Sequence, residues 1–160
     1  FNKAIKSLNF NMKGKKILIL GAGGVVPSIV FAIKEMGVSE IIISNRTRQK
    51  AENLKTLFKN LNILEWGNLT DFDVIINATS LGLNKEKINL DFSKVGKNKL
   101  FYDVIYNPAE TKFLKEGKQL GNTSENGATM FIYQAQEAFK LWHDIEPEVN
   151  FETLKLLEND

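Results

Sequence analysis

Four stretches of the chain are apolar without a break. They are Ile17 to Leu20, Ile41-Ile42-Ile43, Val74-Ile75-Ile76 and Leu100-Phe101-Tyr102. A strand with one wet face alternates apolar and polar residues, so continuous runs read as strands buried on both faces. Ile63-Leu64 and a segment near Asn122 to Ser124 are shorter strand candidates. Between these runs the apolar period lengthens. Ile29, Val30, Ile33 and Met36 recur at helical spacing after Pro27, whose missing N–H costs little in a first turn, and Gly37 closes that helix. Thr47 to Asn60 carries Ala51, Leu54, Leu57 and Phe58 on one helical face. Further helices are predicted over residues 1–10 (with Ala4, Ile5 and Leu8 on one side), over Thr111 to Gln119, over Phe131 to Trp142 and over Phe151 to Leu157. Lys13-Gly14-Lys15-Lys16 reads as a solvated turn. Strands alternating with helices require crossover connections. The pattern therefore predicts an α/β fold: one Rossmann-type doubly wound domain over residues 1–160. Its sheet is mainly parallel and six-stranded, in order 3-2-1-4-5-6, with helices on both faces.

Composition removes several functions. The 160 residues contain no Cys, so disulfides and thiolate metal sites are excluded. The single His143 cannot make a zinc site alone, and beside Asp144 it reads as a solvated side chain. A formal charge of +2 with scattered basic residues argues against nucleic-acid binding. No apolar run approaches the roughly 20 residues that a membrane helix needs. The chain opens on Phe1 rather than Met, and is expected to be a piece of a longer protein.

Leu20-Gly21-Ala22-Gly23-Gly24-Val25-Val26 follows the first strand directly. Gly21 and Gly23 fit the G-x-G-x-x-G template of dinucleotide sites. Val26 fills the third glycine position and Gly24 adds an extra one. A turn between a first strand and a helix lets a pyrophosphate meet free backbone N–H groups. The alternative is a tight strand–helix turn with no ligand. At the end of the second strand stands Ser44-Asn45-Arg46-Thr47-Arg48. NAD sites usually place Asp or Glu there to grip the ribose 2′-OH, whereas arginine pairs with a 2′-phosphate. The segment favours NADP, with Arg46 ahead of Arg48. The alternative has Thr47 capping the next helix and both arginines solvated. Asn77-Ala78-Thr79-Ser80, Asp103 and Tyr106 also follow strands. Asp103 reads as a loop acid capping a turn. Gln134 falls on a stripe with Met130, Ala138 and Trp142, which predicts an amide facing inward. Phe139 and Trp142 read as core or domain-packing residues.

Taken in order, these segments resemble the shikimate dehydrogenases, NADP-dependent enzymes of aromatic amino-acid (chorismate) biosynthesis. The resemblance rests on Gly21-Ala22-Gly23-Gly24, Asn45-Arg46-Thr47, Asn77-Ala78-Thr79-Ser80 and Tyr102-Asp103-Val104-Ile105-Tyr106-Asn107-Pro108. Asn126-Gly127 before Met130, and Gln134-Ala135 followed by Phe139 and Trp142, complete it. It implies the NADP-binding domain of a cytoplasmic oxidoreductase that interconverts 3-dehydroshikimate and shikimate. It implies that Gly21, Ala22, Gly23, Gly24 and Val25 cradle the pyrophosphate, and that Asn45, Arg46 and Thr47 hold the adenosine ribose and its phosphate. Thr79 and Ser80 would lie beside the cofactor, Val104 and Gly127 at its nicotinamide end, and Tyr106 and Gln134 against shikimate. The family's catalytic Lys and Asp belong to an N-terminal substrate domain, so no catalytic residue and no metal ligand is expected here. The terminal helices would pack on that domain. Many members carry Asp where Asn126 stands and glycine where Thr129 stands. Two other readings remain: a quinate/shikimate paralogue using both NAD and NADP, and a non-catalytic nucleotide-binding domain.

Overall fold

A computed structural model describes residues 1–84 and 86–155. Six strands form one sheet: β1 (Lys16–Leu20), β2 (Glu40–Ser44), β3 (Leu61–Leu64), β4 (Val74–Asn77), β5 (Leu100–Asp103) and β6 (Thr123–Glu125). Their order is β3-β2-β1-β4-β5-β6 and every pairing is parallel, as predicted. The helices are α1 (Asn2–Ser7), α2 (Val26–Glu35), α3 (Arg48–Leu57), α4 (Lys112–Gln119), α5 (Ala128–His143) and α6 (Phe151–Lys155). Leu157, the predicted end of the last helix, lies outside the described residues.

Successive strand residues face opposite sides of a sheet, so an unbroken apolar run feeds two cores at once. Ile17 and Ile19 join one cluster with α2 (Val26, Ile29, Val30, Ile33), α3 (Ala51, Leu54), α1 (Ala4, Ile5) and Met130 of α5. Leu18 and Leu20 join a second cluster with Phe101 of β5 and Phe113 and Leu114 of α4. That second face is covered largely by loop side chains. No helix forms between β3 and β4 or among the described residues between β4 and β5, and Phe72, Ile88 and Phe92 do the covering instead.

Register sets where the site can be. Leu64 lies beside Ser44, Ser44 beside Leu20, Leu20 beside Asn77, and Asn77 beside Asp103. The five strands therefore end along one row. Gly21, Asn45, Ala78, Val104 and Glu65 each begin a loop at the same carboxyl edge, where open parallel sheets bind ligands.

α5 departs from expectation. Its buried residues are Ala128, Met130, Ile132 and Gln136, all in the first nine positions of the helix. Gln134 is exposed, and Trp142 (78% exposed) and Phe139 (42%) are not core residues. The helix packs on α1 and α6, and in its second half Phe139, Leu141 and Trp142 remain exposed among the described residues. The inward glutamine is Gln136, which accepts from Lys3 Nζ at 2.8 Å and donates to the Pro147 carbonyl at 2.7 Å.

Tyr102, on β5 between β4 and the edge strand β6, has no exposed surface, and its hydroxyl finds no partner among the described residues. Burial pushes its ionisation up, with help from the charges of Glu125 and Asp103. An unpaired buried hydroxyl costs stability that a phenyl ring does not. Tyr102→Phe is expected to leave the chain equally stable or to stabilise it by about 1 kcal/mol. Urea unfolding measures this, and a loss of stability would mean that the hydroxyl is paired.

Candidate functional site

The glycine turn contains glycines of two kinds. Gly21 has φ +109°, and a Cβ there would stand 2.5 Å from the Ala78 carbonyl oxygen. Its N–H donates to Ser44 O at 2.8 Å, tying the turn to the end of β2. The fold itself therefore demands glycine at 21. Gly23 and Gly24 are different. Both are exposed, neither has a positive φ, and nothing lies within 4 Å of a Cβ at either position. The fold itself does not require glycine at either position, and the bare backbone there is open to close approach. α2 begins just beyond, with no side-chain cap and no acid in its first turn. In that first turn Val26 N donates to Gly23 O at 3.1 Å, Ile29 N donates to Val25 O at 3.2 Å and Pro27 has no N–H, which leaves the Ser28 amide for an anion.

At the end of β2, Asn45 Nδ2 donates to Thr47 O at 2.8 Å and shapes the turn. Thr47 holds the cap position of α3, but its hydroxyl makes no capping bond. The capping alternative fails for that reason, and the hydroxyl stays available. Arg48 pairs with Glu52 at 3.2 Å, one helical turn away. Arg46 makes no hydrogen bond or ion pair with any described residue, and neither does the Lys50 side chain. Lys50 was missed from sequence. Lys50 reaches the site as the third residue of α3, whose first turn follows Arg46 and the cap residue Thr47.

These pieces meet around one cavity of about 440 Å³. Gly21, Ala22 and Gly23 line one part, Asn45, Arg46, Thr47 and Lys50 another, and Thr79 and Ser80 a third. Thr79 is largely spoken for: its hydroxyl donates to Asn77 Oδ1 at 2.7 Å and accepts from Leu81 N at 3.0 Å. Ser80 is exposed and its hydroxyl is unengaged among the described residues.

Gly24 and Val25 face a second cavity, of about 650 Å³, between α1, α2 and α5, and Gln134 lines it too. Val104 and Gly127 line neither cavity. They touch each other instead: a Cβ at Gly127 would fall 2.1 Å from the Val104 oxygen, and Gly127 N donates to Ile105 O at 3.0 Å. Tyr106 stacks on Phe131 with ring centroids 4.7 Å apart, and Phe131 is three residues from Gln134 on α5. Asn126 spans the same region, donating to Ala109 O at 2.9 Å and accepting from Ala128 N at 3.0 Å. Among the described residues no group of three His, Cys, Asp or Glu side chains could hold a metal ion.

Asp103 carries more than a turn cap. It has no exposed surface, and its carboxylate accepts from Ile105 N at 3.1 Å, Asn77 Nδ2 at 2.9 Å and Thr111 Oγ1 at 2.7 Å. It thus joins the loops after β4 and β5 to the start of α4. Burial raises its pKa above the ordinary 3.8, although the three hydrogen bonds oppose the rise. The folded state then takes up this proton at a higher pH than the unfolded chain. The Asp103 contribution to stability therefore grows as pH falls from above the folded pKa towards 3.8, and is lost as pH rises back through that window. The difference in unfolding free energy between wild type and Asp103→Asn should move in wild type's favour as pH falls. A difference that is flat with pH would refute the assignment.

Comparison with known proteins follows the same lines. Residues 2–106 match the family model described as Shikimate / quinate 5-dehydrogenase. Shikimate dehydrogenase (NADP(+)) of Pelagibacter ubique is 53% identical over 159 residues, which cover 99% of this chain and 60% of that protein. The crystal structure of shikimate dehydrogenase from Aquifex aeolicus superposes with a TM-score of 0.84 at 32% identity, covering 99% of this chain and 58% of the other. A shikimate dehydrogenase solved in complex with NADP+ gives 0.81 at 35% identity, covering 98% and 58%. The chain spans about 60% of the length of the curated relatives it matches.

Proposed function

We propose, on the premise that this chain belongs to the shikimate / quinate 5-dehydrogenase family, that it is the NADP-binding part of a shikimate dehydrogenase. The whole protein would reversibly reduce 3-dehydroshikimate to shikimate in the cytoplasm. The observation that carries this reading is the shared cavity. Gly21 and the bare Gly23 of the glycine turn and the unpaired Arg46 and Lys50 face one space, with no acid at the end of β2, and the lining also holds Glu86. That donor set fits a dinucleotide with a 2′-phosphate. Amides of the turn from Gly21 to Val25 would hold the pyrophosphate. Arg46, Thr47 and Lys50 would hold the 2′-phosphate, and Asn45 the ribose. When bound, the nicotinamide supplies the hydride for the ring carbonyl.

The chain's remaining residues would position that chemistry. Gly127 and Val104, in backbone contact, would form a wall for the nicotinamide end. Tyr106, braced by Phe131, and Gln134 would meet substrate hydroxyls. The proton would be handled by a Lys–Asp pair outside this chain, as general acid–base catalysis requires. The exposed Phe139, Leu141 and Trp142 would face the rest of the protein. Calorimetric titration of the chain tests the reading: NADP should bind more tightly than NAD, and the chain alone should not oxidise shikimate. Equal affinities would favour a dual-cofactor paralogue, and turnover by this chain would place the proton-handling groups within it.

A further inference from the structure

Trp66 has no part in the motifs singled out from sequence, yet it stands at the same edge of the sheet. It follows β3 by two residues, in a turn closed by Asn68 N donating to Glu65 O at 3.2 Å. Gly67 takes φ +94° there, the left-handed position that such a turn assigns to glycine. The turn is built to present the residue before Gly67. The indole is half-buried, with part of it against the second core cluster. It also lines the 440 Å³ cavity and a neighbouring one of about 240 Å³. Asn45 and Arg46 are the other residues common to both cavities. No other ring and no cation lies over the indole among the described residues, so its face is unclaimed.

This inference rests on the dinucleotide reading and extends it. In an adenosine 2′-phosphate the base is attached to the ribose carbon next to the one that bears the phosphate. A site that seats the 2′-phosphate on Arg46 must therefore find room for a flat aromatic base close by. Trp66 offers a broad ring beside Arg46, whose guanidinium is itself planar and free. We propose that Trp66 is the stacking platform for the adenine base, contributing affinity for the adenosine half of the dinucleotide at this end of the cavity. Stacking of a base on an aromatic side chain is tolerant of detail and strong enough to measure.

The chain has two tryptophans, and Trp142 is largely exposed, so Trp142→Phe isolates the emission of Trp66. Adenosine 2′,5′-bisphosphate is the probe, because it carries the base and the 2′-phosphate without nicotinamide. Its binding should quench Trp66 with the same midpoint as the calorimetric curve, while nicotinamide mononucleotide should not. Trp66→Leu, which keeps an apolar filler but no ring, should weaken the bisphosphate about tenfold or more. Trp66→Phe should restore most of the affinity, which a merely structural role would not require. Tight binding with unchanged emission, or a Leu variant that binds as well as wild type, overturns the platform and leaves the dinucleotide reading standing. Failure of both NADP and the bisphosphate to bind overturns the two together.

Discussion

Replacing Arg46 with alanine is expected to remove most of the preference for NADP over NAD. Arg46 is exposed, makes no bond with any described residue, and shares its cavity with the glycine turn. Its loss should therefore cost the fold little. A charge-assisted hydrogen bond contributes about 1.5–3 kcal/mol, so NADP affinity should fall roughly 10- to 100-fold. NAD lacks the 2′-phosphate and should lose no more than about threefold. Lys50 remains as a second cation, so the residual preference should vanish fully only in the Arg46→Ala, Lys50→Ala pair. Raising the salt should erode NADP binding more than NAD binding, because the site is exposed. Calorimetry on both cofactors measures each term. Parallel losses for NAD and NADP would move Arg46 from the 2′-phosphate to a part the cofactors share.

The second large effect separates two glycines of one turn. Gly21→Ala should destabilise the chain by about 3–5 kcal/mol, from the positive φ and from a methyl driven into the Ala78 carbonyl. Backbone cannot swing aside as the end of a flexible side chain can. Against a typical total of about 5–15 kcal/mol, that loss leaves a marginal fold. Gly23→Ala should do the reverse. Its backbone is ordinary and its surroundings are open, so stability should stay level or rise by about 0.4–1 kcal/mol as the unfolded chain loses freedom. Yet its methyl would enter the space proposed for the pyrophosphate, and NADP affinity should drop at least about tenfold. Thermal unfolding and titration of the two variants together decide the matter. A Gly23→Ala chain that binds normally would remove the pyrophosphate from this turn.

Much of this protein was legible along the chain because its signals are local or periodic. Unbroken runs such as Ile17 to Leu20 could only be strands covered on both faces. Their alternation with helices led to a parallel sheet in the observed order. The glycine turn and Asn45-Arg46-Thr47 stood out as local motifs, and the structure brings them around one cavity. Other features depended on what lies opposite a residue in space. Asp103 reads in sequence as a loop acid, but in the fold both Asn77, from the neighbouring strand, and Thr111, at the start of α4, donate to it. The stripe through Gln134 and Trp142 has helical regularity, but periodicity cannot tell which part of a helix its neighbours cover, and the buried amide proved to be that of Gln136. Gly21 and Gly23 are the same letter in the sequence. Only the Ala78 carbonyl, brought to one of them by the pairing of β1 with β4, makes the first a requirement of the fold and leaves the second open to a ligand. Local sequence determines which elements form and which chemistry they carry, because backbone preference and side-chain period act over a few residues. Which groups are buried, paired or left free is decided by contacts between elements far apart in the chain.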